Sequence, residues 1–219
     1  MSILNPEDAQ VIKKEFEKLK NDINIIFFTQ KFDCLYCAPT EELLKEVAGL
    51  SERIKLQVFN FVIDQAPVEK YKIRMIPAIV LQGVKDYGIR FYGIPAGFEF
   101  TSLIEDIIDA ANGESGLSTD SKKKIATIKQ PVHIQVFVTP TCPYCPSAVR
   151  LAHRLAIESD FITADMIEAT EFPQLAMRYQ VMGVPRVIIN ETIQFEGAQP
   201  EEKFVDYVLK AGGADSIIS

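Results

Sequence analysis

The feature that most limits how this chain can fold is an internal repeat. Cys34 and Cys37 recur as Cys142 and Cys145, 108 positions later, and Tyr71 and Pro77 recur as Tyr179 and Pro185 at the same spacing. Further on, "FYG" ending at Gly93 is answered by "FEG" ending at Gly197, 104 positions on, a change that four residues of loop account for. One offset shared by cysteines, tyrosines and prolines indicates a tandem duplication. At 219 residues the chain can hold two units of about 100 residues each. The expected units are residues 1–115 and 116–219, joined near the polar, Gly-containing "NGESGLSTDS".

The two halves read alike. "PEDAQVIKKEFEKL" has Pro6 in a first turn, acids behind it, and Val11, Ile12, Phe16 and Leu19 at helical spacing; "STDSKKKIATI" is its counterpart. Short apolar runs follow, "INIIFF" and "VHIQVFV", and read as strands. Each cysteine pair comes just after its strand and runs into a helical pattern, "TEELLKEVAGL" or "SAVRLAHRLAIES". Next come a second strand ("KLQVFNFVID", "FITADMIE"), a segment with the shared tyrosine, and the proline step. A hairpin ("AIVLQG" with "IRFYG", "RVIIN" with "TIQFEG") and a closing helix ("EFTSLIEDIIDAAN", "EEKFVDYVLKAG") end each half. A βαβ crossover followed by a hairpin and a helix predicts an α/β unit: a mixed central sheet flanked by helices.

Composition excludes several classes. A net charge of −7 lacks the basic face that nucleic acid requires. No apolar run approaches the roughly 18 residues of a membrane span. The opening "MSILNPEDAQVIKKEF" shows no basic n-region followed by an apolar h-region, so a cytoplasmic protein is expected. All four cysteines fall in the two pairs, leaving none to staple distant segments as in a secreted disulfide scaffold.

A CxxC pair can hold half a zinc site or open and close a disulfide. The zinc reading needs both pairs at one metal with four thiolates. Zinc ribbons set their knuckles about 15–20 residues apart; here they are 108 apart, each inside its own repeat. A redox dithiol in each half is the stronger reading, and a non-catalytic zinc scaffold stays as the rival.

The order strand, CxxC, helix, crossover strand, proline, hairpin, helix is similar to the thioredoxin fold, and "DQAPVEKYKIRMIPAIVL" resembles the corresponding thioredoxin stretch. Two such units, with "KDYGIRFYGIPAGFEF" in the first and "FVTPTCPYCPSAV" in the second, resemble the protein disulfide oxidoreductases of hyperthermophilic archaea and bacteria over essentially the full chain. "GIPAGFEFTSLI" also resembles the tandem thioredoxin-like N-terminal domain of the flavoprotein component of alkyl hydroperoxide reductase. The resemblance implies two tandem thioredoxin-fold units that oxidise, reduce or isomerise protein disulfides at two dithiol sites, with no bound cofactor or metal. Protein thiols and disulfides are the implied substrates. The alternative is an electron carrier between a flavoprotein disulfide reductase, of the thioredoxin reductase kind, and a peroxiredoxin.

Cys34 and Cys142, first in each pair, are assigned the attack on substrate sulfur; Cys37 and Cys145, about one turn on, resolve the mixed disulfide. A thiolate at a helix N-terminus meets free N–H groups and the positive end of the dipole. Lowering a thiol from about 8.5 to about 6.5 raises its thiolate fraction at pH 7 from ~3% to ~75%. Intrinsic nucleophilicity falls roughly tenfold over the same interval, so the helix end chiefly sets redox poise. Pro143-Tyr144 in the second site is the pair seen in glutaredoxins, whereas the first site has Leu35-Tyr36, and the sites are expected to be inequivalent. Thr141 beside Cys142, where Asp33 adjoins Cys34, favours the second as the stronger oxidant. The thioredoxin resemblance further implies that Ile76–Pro77 and Val184–Pro185 are cis, turning the backbone of Ile76 and Val184 toward the sulfurs to pair with extended substrate.

Thioredoxins bury an Asp six residues before the first cysteine; here Phe28 and Val136 stand there. Asp64 and Glu168, at the ends of the crossover strands, are candidate replacements for proton handling. His153 reads as a surface or boundary residue, and Lys122 to Lys124 as a solvated helix face.

Overall fold

The computed structural model describes residues 3–213. The first half contains α1 (Pro6–Glu15), β1 (Ile23–Thr29), α2 (Cys37–Ala48), β2 (Ile54–Asn60), α3 (Gln65–Lys70), β3 (Ala78–Gln82), β4 (Asp86–Tyr92) and α4 (Glu99–Asn112). The second contains α5 (Thr119–Ile125), β5 (Val132–Val138), α6 (Cys145–Glu158), β6 (Ile162–Glu168), α7 (Pro173–Arg178), β7 (Arg186–Ile189), β8 (Ile193–Glu196) and α8 (Glu201–Ala211). Local chemistry sets the helix starts. Asn5 accepts from the Asp8 amide with Pro6 in the first turn of α1, and Ser118 accepts from the Ser121 amide ahead of α5.

The halves repeat one topology, β2-β1-β3-β4 and β6-β5-β7-β8, each with a parallel first pair and antiparallel hairpin strands. The sequence predicts a sheet in each half; the two join into one eight-stranded sheet. β4 pairs in parallel with β6, Ile89 opposite Ala164 through Tyr92 opposite Ile167. A strand at the edge of one half thereby loses its open ladder to the edge of the other.

Six helices, α1, α2, α4, α5, α6 and α8, bury one face of the sheet, and the short α3 and α7 cover part of the other. β1 and β5 are buried on both faces, which explains their near-continuous apolar sequence. α3 and α7 occupy the segments with the shared tyrosines, where no helix is expected from the sequence: each is six residues, too short for a periodic signal. β2 stops at Asn60, short of the expected strand through Asp64, because the Asn60 side chain accepts from the Val62 and Ile63 amides and turns the chain.

His153 is a correction. It is fully buried, not at the surface. Its Nδ1 lies 2.5 Å from Asp106 of α4, and its ring meets Phe91 edge-on at 4.9 Å between centroids. The helical pattern of α6 reads as one apolar face against one sheet. In the fold α6 is packed on both flanks, because α4 from the other half lies beside it and places Glu105, Asp106 and Asp109 against Arg150.

Candidate active site

Both cysteine pairs are disulfides, with Cα atoms 5.4 Å apart in Cys34–Cys37 and 5.5 Å in Cys142–Cys145. Each pair follows a central strand, β1 or β5, and its second cysteine is the first residue of α2 or α6. Cys37 and Cys145 are buried; Cys34 is half-buried and Cys142 nearly buried. The Thr40 amide and hydroxyl both donate to the Tyr36 carbonyl, and the Cys142 amide donates to Thr139, which fixes the turns that carry the first cysteines. Tyr36 and Tyr144 point outward as exposed rings rather than packing at the helix starts.

Ile76–Pro77 and Val184–Pro185 are both cis. The Val184 carbonyl oxygen lies 3.7 Å from Cys142 Sγ, so this loop stands directly against the second disulfide. The strand directions put both sites at one end of the sheet: β1, β2, β4, β5 and β6 all finish there, and β3 and β7 begin there. With β3, β4 and β6 between β1 and β5, four strand spacings separate the sites, about 19 Å along the sheet.

Two buried carboxyls, Glu99 and Glu168, and the half-buried Glu171 lie where the first half meets the second. Gly97, at φ +59, brings the chain onto Pro140, and the Phe98 amide donates to the Pro140 carbonyl at 3.1 Å. That contact seats Glu99, the next residue, in the core beside the loop that carries Cys142. Neither Glu99 oxygen finds a hydrogen-bond partner. Burial pushes its pKa up to about 7; the nearby Ser102 hydroxyl opposes the shift and the charge of Asp106 adds to it. Glu168 is also buried and accepts from the Thr170 hydroxyl (2.6 Å) and the Glu171 amide (2.8 Å) through one oxygen, leaving the other unpartnered. Glu171 accepts from the Ile94 amide at 2.6 Å; burial raises its pKa to about 7, the Ile94 N–H opposes, and the Glu168 charge adds.

Of the two proton-handling candidates, Glu168 is buried at the end of β6, on the strand face that carries Met166 into the core shared with Cys145. Asp64 is committed elsewhere, accepting from the Asn60 amide at 2.6 Å. Asp33 is exposed. Sequence reasoning misses Glu99: an acid opening a helix reads as an ordinary complement to the helix dipole. The one available signal is the preceding "GIPAGF", whose glycine permits the close approach.

The thioredoxin-domain family profile matches residues 132–210. A thioredoxin from Methanocaldococcus jannaschii is 39% identical over 80 residues, 36% of this chain and 94% of that protein. The structure of a protein disulfide oxidoreductase from Aeropyrum pernix superposes with a TM-score of 0.90 at 32% identity, covering 97% of this chain and 96% of that one. An alkyl hydroperoxide reductase component of Pseudomonas aeruginosa is 26% identical over 164 residues, 74% of this chain; the chain spans only 29% of the length of that relative.

Proposed function

The chain belongs to the thioredoxin-fold protein disulfide oxidoreductases, and from that premise we propose that Cys34–Cys37 and Cys142–Cys145 are its two exchange sites, one in each of the units 1–115 and 116–219. In the reducing direction the Cys142 thiolate attacks a substrate disulfide. The substrate S–S bond breaks, one substrate sulfur leaves as thiolate, and a mixed disulfide forms. Cys145 then gives up its proton and attacks Cys142 Sγ, releasing the second substrate sulfur. The substrate gains two electrons and the enzyme pair becomes a disulfide; oxidation of a substrate runs the same steps backwards. Glu99, with a pKa of about 7 and no competing hydrogen bond, is suited to take the Cys145 proton at neutral pH and return it. In this reading Ile76–Pro77 and Val184–Pro185, both cis, offer backbone groups to extended substrate, and the Val184 contact with Cys142 Sγ supports it for the second site. No helix among the described residues is long and apolar enough to cross a membrane. A cytoplasmic setting belongs to the proposal.

The observation that carries this reading is the Val184 carbonyl 3.7 Å from Cys142 Sγ, a substrate-strand partner placed against the attacking sulfur. The test is trapping. Cys145→Ser in a Cys34→Ser, Cys37→Ser background should accumulate a stable mixed disulfide with a protein substrate, and Cys142→Ser in that background should not. Trapping by Cys142→Ser alone would reverse the assigned roles, and equal trapping by both variants would remove the distinction between them.

Likeness to the alkyl hydroperoxide reductase component over 74% of the chain favours a second reading, an electron carrier between a flavoprotein disulfide reductase and a peroxiredoxin. Cys142-dependent NAD(P)H consumption in a mixture of the three with a hydroperoxide would support it.

A further inference from the structure

Along the contact between α4 and α6, both Glu99 oxygens, Ser102 Oγ and His153 Nε2 find no hydrogen-bond partner in the protein. All three residues are fully buried. Buried polar groups are almost always hydrogen-bonded, and where the protein supplies no partner an ordered water does. Glu99, Ser102 and Asp106 follow one another at intervals of three and four residues, so they share one face of α4. The helix rise separates them by roughly 4.5 and 6 Å, and one bridging water spans about 5.6 Å between its two bonded neighbours.

The two helices run side by side in one direction. At the start of α4 the Phe98 amide bonds Pro140, just ahead of Cys142; further along, Glu105, Asp106 and Asp109 meet Arg150, His153 and Arg154 of α6. Helix side chains lean toward the N-terminus of their own helix. Asp106 therefore leans toward Ser102, Ser102 toward Glu99, and His153 toward the turn nearer Cys145. The polar column starts at the cysteine end of the sheet and runs inward from it.

His153 ends the column. Its Nδ1 lies 2.5 Å from Asp106, which also accepts from Arg150, so the hydrogen in the His153–Asp106 bond is assigned to Nδ1. Nε2 can then gain or lose a proton without breaking that bond. The surrounding charges accommodate it. Glu105, Asp106 and Asp109 of α4 face Arg150 and Arg154 of α6, three carboxylates against two guanidinium groups, so one further positive charge is compensated there. From β4, Phe91 meets the ring edge-on and brings no charge.

We infer that this column, Glu99, Ser102 and His153 with ordered water between them, carries the proton that Cys145 releases, and that Ser102 and His153 are positioning residues for exchange at Cys142–Cys145. The inference rests on the exchange reading of that site, with Glu99 as proton acceptor, and names where the proton goes next. When Cys145 attacks Cys142 Sγ, its S–H electron pair forms the new S–S bond and the substrate sulfur leaves as thiolate. The proton passes to Glu99, which gives one up to water; Ser102 hands it on and His153 Nε2 receives it. Glu99 ends as it began, and His153 ends as an imidazolium against Asp106. Reduction of the pair returns the proton along the same path. The first site has no such terminus: at the repeat position of His153, α2 carries the exposed Lys45, paired with Glu41 of its own helix.

The test follows the second site alone, in the full chain with Cys34→Ser and Cys37→Ser. It reads the single-turnover rate of reduction of a disulfide peptide while imidazole buffer is varied. The parent rate should not depend on imidazole. Ser102→Ala and His153→Asn, whose amide nitrogen stands where Nδ1 did, should each slow the turnover at least threefold at low buffer. Both should regain most of the rate as imidazole rises, because an external base then replaces the column; a merely structural loss would not respond to buffer. Rates equal to the parent's, or a loss that imidazole does not recover, overturn the inference. Glu99→Gln separates it from the reading beneath. If that variant is slow while Ser102→Ala and His153→Asn match the parent, Glu99 keeps its role and the column is struck. If Glu99→Gln matches the parent, both go. If Cys142→Ser still turns over in this background, the exchange reading fails and the inference with it. A crystal structure of the parent decides the water independently of activity: ordered waters bonded to Ser102 Oγ and His153 Nε2 support the column, and apolar side chains packed against both atoms overturn it.

Discussion

Glu99, the proton acceptor proposed for Cys145, is held buried at the expense of the fold. Its pKa, raised to about 7 chiefly by burial, means that the folded chain binds a proton there which the unfolded chain has already released. The stability that goes with the protonated form is fully present below about pH 4.5 and is lost as pH rises through 7. The whole shift corresponds to on the order of 3 kcal/mol. Glu99→Gln should therefore flatten the fall in stability between pH 4.5 and 7 and leave the variant more stable above pH 7. At the same time it should slow exchange at Cys142–Cys145 several-fold and remove an apparent pKa near 7 from its rate profile. Urea midpoints across that pH range, with single-turnover rates, check both halves; a variant no more stable than the parent at pH 8 would show that Glu99 is not held protonated by burial. The cysteines themselves were legible from the sequence, because spacing and repeat offset are one-dimensional facts. Glu99 was not, since its environment is made by Pro140, more than forty residues away.

At the scale of the elements, the α4–α6 contact decides how the halves hold together. Arg150, nearly buried, bonds Glu105 and Asp109 at 2.7 Å and also bonds the fully buried Asp106, which in turn holds His153. Removing one partner leaves a buried charge uncompensated, which costs about 3–5 kcal/mol. Arg150→Met should destabilise by that amount. Adding Asp106→Asn should recover a good part of the loss, because the amide carries no charge and still offers an oxygen to His153. The double variant is thus expected to outlast the single in urea despite its extra substitution. If the double variant is weaker by the sum of both losses, the cluster is not acting through charge. Helix positions other than those of the short α3 and α7 were readable to within a few residues from periodicity and first-turn residues. That α6 would be enclosed on both flanks was not, since the amphipathic pattern records how much of a helix is apolar but not which half of the chain covers it.

The whole molecule is two copies of one unit joined head to tail, and the joint explains why equivalent strands have drifted apart in sequence. β6, lying between β4 and β5, is buried at six of its seven positions; β2, its counterpart at the sheet edge, exposes Lys55, Gln57 and Val58. At the other edge β8 is only four residues long, and short or charged edges discourage a third unit from adding on. Duplication and unit topology could be read from the sequence; the β4–β6 seam could not, because a buried edge and a buried centre have the same period. The seam also makes the two sites unequal, because among the described residues only the second has its loop braced by the other half. Gly97 is where the brace is tightest. A Cβ there would stand 2.2 Å from the Pro140 carbonyl oxygen, backbone against backbone, and the residue sits at φ +59, which disfavours any side chain. Gly97→Ala should destabilise the protein by at least about 2 kcal/mol. It should also displace the loop two residues before Cys142 and lower exchange at Cys142–Cys145 while leaving Cys34–Cys37 unchanged. The two sites can be read separately in backgrounds lacking one cysteine pair, under conditions where both variants stay folded. Equal loss at both sites would mean that the substitution loosens the whole sheet, and that the seam carries no special support for the second site.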